Sequence, residues 1–77
     1  MEKRETNLYR LRLSRGYTQK QLADVTGINR ATISKLESGM RDINRTEAYT
    51  VYLMAQALGC SMEGLLELER EEEKNGR

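Results

Sequence analysis

Histidine is absent from this chain of 77 residues, and cysteine occurs once. The first absence removes the commonest general base and the commonest metal-binding side chain. The second leaves no partner for an intramolecular disulfide. The sequence offers no nucleophile–base pair, no phosphate loop and no cluster of metal ligands, so neither an enzyme nor a cofactor is expected. Proline, tryptophan and phenylalanine are missing as well. No run alternates apolar and polar residues as a half-buried strand does, and helix is therefore the favoured element. Nor does any apolar run approach the ~20 residues of a membrane span. The first residues, MEKRETN, lack the apolar stretch of a secretory signal. A cytoplasmic protein with no membrane partner is expected.

What is present is concentrated between Thr18 and Gly39, in TQKQLADVTGINRATISKLESG. Thr18 and Gln21 have the spacing of a capping box, in which hydroxyl and carboxamide each serve the other residue's backbone amide. The helix they open runs to about Thr26 and buries Leu22 and Ala23. Gly27 stops it, because a residue without Cβ enters the left-handed region at little cost. Asn29 is a good N-cap for a second helix running to about Ser38, and Gly39 closes it. Ile33 and Leu36 form the inward face, with Ile28 just ahead of the cap. Arg30, Ala31, Ser34 and Lys35 are left pointing outward. A small residue at the crossing (Ala23), a glycine in the bend (Gly27) and an isoleucine in the angle (Ile33) have the spacing of a helix-turn-helix, the layout that places a second helix in the major groove of DNA.

The flanking segments also read as helix. Thr6 to Arg15 carries Leu8 and Leu11 on one face, with Ser14 small enough to pack beside them, and Gly16 ends it. Arg12 lies near that face, where an arginine needs a partner; Glu37 is the candidate. Tyr17 is expected to pack under the turn. After Gly39, the polar connection MRDI leads to Asn44-x-x-Glu47, which has the pattern of a capping box opening a helix from about Arg45 to Leu58. Its inward residues would be Ala48, Val51, Tyr52, Met54, Ala55 and Leu58. Gly59 ends it, Cys60 is a small core residue, and Ser61 caps a last helix holding Met62, Leu65 and Leu66. One domain over residues 1–69 and a frayed, charge-rich tail over 70–77 are expected.

The net charge of +1 hides a polar division. Residues 1–45 hold ten basic and five acidic side chains, and residues 46–77 hold three basic and seven acidic ones. The positive half contains the helix-turn-helix and suits a phosphate backbone; the acidic half should face away from it.

Several segments carry a resemblance to a known family: Leu11-Arg12, Gly16-Tyr17-Thr18-Gln19, Leu22-Ala23, Gly27-Ile28, Thr32-Ile33-Ser34, Leu36-Glu37-Ser38-Gly39 and Ala55-x-Ala57-Leu58-Gly59-Cys60-Ser61. From about Leu8 to Leu66 the chain resembles the phage-repressor and Cro proteins of the XRE type. The resemblance implies an all-α fold, a compact five-helix lambda-repressor-like bundle with a central helix-turn-helix whose third helix enters the major groove. It also implies a two-fold dimer, Gln19 on a phosphate, and Arg30, Ala31, Thr32 and Lys35 facing the bases. Arg12 and Glu37 fall where some relatives form an ion pair. The chain departs from the pattern in three places. The segment between Gly39 and Gly59 is a few residues longer than is common, Leu53 stands where a charged residue is usual, and Gly64 weakens the last helix by up to about 1 kcal/mol.

The expected function is therefore sequence-specific binding of double-stranded DNA by a homodimeric regulator. Arg30 can donate two hydrogen bonds to a guanine, and Ala31 and the Thr32 methyl can meet a thymine methyl. Lys35 reaches a base or a phosphate. Lys20, Asn29, Ser34 and Arg41 are the further phosphate candidates, with the free amides near Gln19 and Lys20 favouring an anion and Arg15 and Arg45 adding salt-sensitive attraction. Leu53, Ala57 and Leu68 are apolar residues left over once the core is filled, and are the candidates for a dimer interface. The alternative is the same fold gripping a protein partner, as an antitoxin does, through that apolar surface.

Overall fold

The computed structural model describes residues 5–68, so the expected tail over 70–77 and the basic Lys3 and Arg4 lie outside the described residues. Among the described residues there are five α-helices and no strand: α1 (Asn7–Ser14), α2 (Gln19–Thr26), α3 (Arg30–Ser38), α4 (Ala48–Leu58) and α5 (Met62–Leu65). A single 3-10 turn, Ile43–Arg45, interrupts the connection between α3 and α4. None of these helices is long and apolar enough to cross a membrane.

Local chemistry sets most of the boundaries. The Thr6 hydroxyl accepts from the Tyr9 amide at the start of α1. Thr18 and Gln21 form the reciprocal capping box, at 3.0 and 2.9 Å, at the start of α2. The Asn29 side chain accepts from the Ala31 amide at 2.7 Å and starts α3, and Ser61 accepts from Gly64 to start α5. Gly27 ends α2 at φ 77° and Gly39 ends α3 at φ 83°, conformations that a side chain would disfavour.

Each helix contributes to one core. Leu8 of α1, Leu22 of α2, Ile33 and Leu36 of α3, and Leu65 of α5 are buried around Val51, Met54, Ala55 and Leu58, the inward stripe of α4. Leu11, Tyr17, Ala23, Ile28, Met62 and Leu66 pack against it half-buried, as does Cys60. Burial pushes the Cys60 thiol up, against the opposing charge of Arg15, which suits a side chain serving as packing.

Four expectations need correction. Ser14 is exposed and bonds back to the Leu11 carbonyl, so it does not pack beside Leu8 and Leu11. Helix α4 begins at Ala48, and Asn44 and Glu47 form no capping box. Asp42 wins that competition: its side chain accepts from the Asn44 amide at 2.9 Å and its carbonyl from the Arg45 amide at 3.1 Å, which winds the chain into the 3-10 turn instead. Of the residues expected inside α4, Ala48 and Tyr52 are exposed. Ala48 lies on the inward stripe by spacing, but at the first residue of the helix, past the edge of the core. Tyr52 stacks on Tyr49 on the outer flank, with ring centroids 6.3 Å apart. Conversely, the connection expected to be merely polar drives Ile43 into the core at 3 % exposure.

Arg12 and Glu37, each 8 % exposed, join α1 to α3. The guanidinium grips the carboxylate with two donors, Nε to Oε2 and Nη2 to Oε1, the latter at 3.0 Å. Its Nη1 donates to the Tyr17 carbonyl at 2.8 Å, and the Tyr9 ring lies 5.6 Å below it. The hydrogen bond to Glu37 raises the Arg12 pKa further above its ordinary value, against the opposing effect of burial, so the guanidinium stays charged.

A buried ion pair costs most when one partner is removed, because the other charge is stranded. Urea unfolding should show Glu37→Ala destabilised by about 3–5 kcal/mol. The double substitution Arg12→Met/Glu37→Leu should recover most of that loss. Ile43→Ala should cost about 2–5 kcal/mol, as a core truncation does, whereas Leu13→Ala on the exposed side of α1 should stay within about 0.5 kcal/mol. Equal costs at positions 43 and 13 would contradict the place of Ile43 in the core.

Candidate nucleic-acid interface

The surface of α3 is divided lengthwise. Ile33, Leu36 and Glu37 anchor it to the core, while Arg30, Ala31, Ser34 and Lys35 are exposed. At 100° per residue the inward set turns Ala31 and Lys35 most directly away from the protein. Arg30, in the first turn, flanks them on the side of Glu37. Thr32 lies at the opposite margin and is half-buried. Among the described residues, Arg30, Lys35 and Arg41 pair with no carboxylate. The Asn29 oxygen is committed to the Ala31 amide, which leaves its own amide hydrogens for an incoming acceptor.

Helix α2 packs against α3 and presents its N-terminus beside it. The capping box consumes the Gln21 amide. The Gln19 and Lys20 amides have no acceptor among the described residues, the arrangement that favours an anion at a helix start. The Lys20 ammonium lies 3.3 Å from Asp24 in an exposed i,i+4 pair, a contact weak enough in water to be exchanged for a phosphate.

Sequence reasoning missed what Gln19 touches. It is half-buried, and its Nε2 donates to Glu37 Oε1 at 3.0 Å. A carboxamide bears two N–H groups, so one remains for another acceptor. Arg15 is exposed and is also tied to the protein. Its Nε donates to the Leu58 carbonyl at 2.6 Å, at the C-terminal end of α4, where positive charge is favoured. Arg45 lies 3.6 Å from Asp42 in an exposed pair. Asn44 turns its side chain to the backbone of Glu67.

The apolar candidates lie elsewhere. Leu53 and Leu68 are half-buried and not packed against the core, whereas Ala57 is packed against it. Helix α4, AYTVYLMAQAL, contains no charged side chain, and Tyr49 and Tyr52 stand exposed on it.

Comparison with known proteins agrees with this architecture. Residues 8–65 match the helix-turn-helix family. Among solved structures, the chain is similar to the restriction-modification controller protein C.AhdI from Aeromonas hydrophila. The two are 27% identical with a TM-score of 0.69, over 78% of this chain and 86% of that one. No curated protein matches the chain. With the helix-turn-helix geometry in place and three quarters of its length matched, the chain belongs to the XRE-type helix-turn-helix family of DNA-binding regulators.

Proposed function

We propose that this chain is a cytoplasmic, sequence-specific regulator that binds double-stranded DNA as a homodimer and reads the major groove with α3. The observation that carries the proposal is the divided surface of α3, fixed to the core on one side and bare on the other. Likeness to a restriction-modification controller protein supports a regulatory role.

Recognition would divide between affinity and specificity. The free amides at the start of α2, with Gln19, Lys20, Asn29, Ser34 and Arg41, hold phosphates and make binding salt-dependent. Arg30 donates to guanine O6 and N7, a contact worth about 1–3 kcal/mol of discrimination. Ala31 lets the helix approach, the Thr32 methyl meets a thymine methyl, and Lys35 reaches a base or a phosphate.

Two half-sites one DNA turn apart call for two copies of α3. The charge-free outer side of α4, around Leu53 with Ala57, can meet itself across a two-fold axis without like charges opposing, and Leu68, beyond α5, is the further candidate. Ala57 contributes least, since it already packs inward. The same surface would serve a protein partner if the chain acted as an antitoxin does.

Selection from a random double-stranded DNA pool tests the readout. The parent chain should enrich a two-fold symmetric motif, and Arg30→Ala should lose one guanine preference in each half-site. No enrichment by the parent at low or moderate salt would sink the DNA reading in favour of a protein partner. Leu53→Asp should raise the dimer dissociation constant at least about tenfold, or 1.4 kcal/mol, in analytical ultracentrifugation. Binding to an isolated half-site should be unchanged. An unaltered dimer would place the interface elsewhere.

A further inference from the structure

We propose that Asn44 and Glu67 form a positioning clasp for DNA recognition, which holds the connection after the reading helix, with Arg41 and Arg45, in fixed register with α1 and α3. The inference rests on the DNA-binding function proposed above.

The Asn44 side chain imitates a neighbouring strand. Its Nδ2 donates to the Glu67 carbonyl at 3.0 Å, and its Oδ1 accepts from the Glu67 amide at 2.8 Å. One carboxamide thereby satisfies both backbone groups of a single residue 23 positions away. The Glu67 carboxylate continues outward and accepts from the Asn7 amide at 2.7 Å, in the first turn of α1. A negative charge is favoured there by the helix dipole. Asn7 answers with its own side chain, donating to the Leu66 carbonyl at 2.7 Å. Thr6, the cap of α1, donates to the Glu37 carbonyl at 3.0 Å, in the last turn of α3. The reading helix, the start of α1, residues 66–67 and the 3-10 turn are thus joined in one series of hydrogen bonds.

Two side chains tie the connection between α3 and α4 to the rest of the molecule: Ile43 in the core and Asn44 on Glu67. Arg41 and Arg45 lie on either side of them, exposed. Without the Asn44 bonds, the connection would be held by Ile43 and by the Arg41 amide on the Lys35 carbonyl at 3.1 Å. The turn beyond Arg41 would have more freedom to pivot, and each phosphate contact would carry more of the entropic cost of ordering it. Clasped at Asn44, both arginines start from a fixed backbone.

The test measures affinity for a duplex carrying the selected site, across a salt series and well below each variant's unfolding midpoint. Asn44→Ala should weaken binding about tenfold and flatten the salt dependence by about one to two phosphate contacts, with base preferences retained. In an Arg41→Ala/Arg45→Ala background it should have little further effect, because the clasp acts through those two side chains. Asn44→Ser keeps a neutral polar group and adds no charge, and its shorter side chain can make at most one of the two bonds. It should give a smaller effect of the same kind, and it serves where Asn44→Ala fails to fold. Lower stability with an unchanged salt slope, or the same loss in both backgrounds, would make the bonds purely structural and overturn the proposal. Failure of the parent chain to bind any duplex would instead remove the functional reading, and the clasp with it.

Discussion

A carboxylate buried in a domain this small must be paired where it lies, and Glu37 sets the arrangement of everything around it. Arg12 of α1 supplies a bidentate partner, Gln19 at the start of α2 supplies another donor, and the remaining Arg12 nitrogen is taken by the Tyr17 carbonyl. Three helices therefore meet on one side chain of α3. Its inward position also fixes the rotation of α3 about its own axis, and so decides that Ala31 and Lys35 face outward. A hydrophobic residue at position 37 could hold α3 against the core with equal or greater stability. It could not fix both the N-terminus of α2 and the rotation of α3 through directional bonds.

Gln19 sits at the junction of that network with the proposed phosphate site. One of its N–H groups is bound to Glu37, so a phosphate taken by the other would bear indirectly on α3. The same economy recurs at Thr6, which accepts from Tyr9 to cap α1 and donates to the Glu37 carbonyl. A chain of 77 residues has little apolar volume to spend on orientation. Polar side chains that serve two neighbours supply orientation instead.

How much of this is legible in the sequence depends on how local the deciding interaction is. Thr18 with Gln21, Asn29, Gly27 and Gly39 act within a few residues of themselves, and the boundaries of α2 and α3 follow directly. The Arg12–Glu37 pair is long-range, yet an arginine next to an apolar face demands a partner, and few acids stand in the right place. The stretch from Asp42 to Ala48 is different. Asp42 and Asn44 are both plausible caps, and what separates them is Glu67, which occupies the Asn44 side chain from far along the chain. Ile43 is concealed for the same reason, since its neighbours in sequence are polar and its neighbours in space are not. Tyr52 has the composition of a core residue and a place beside the inward stripe, but Val51, Met54, Ala55 and Leu58 already fill that stripe.

These contacts bear on how discrimination between DNA sequences would arise. Helix α3 is held at its start by the Asn29 cap, in its last turn by Thr6 on the Glu37 carbonyl, and along its inner side by Ile33 and Leu36. A helix fixed at both ends has little freedom to re-dock on a different base sequence. Adjustment must then come from side chains that are not yet committed, of which Arg30 and Lys35 have the greatest reach, or from the duplex itself. A duplex that must bend or narrow to bring two rigid reading helices into register contributes specificity at base pairs no side chain touches. In the proposed dimer, the spacing and deformability of the DNA between half-sites would therefore add to the discrimination that direct contacts from α3 would supply.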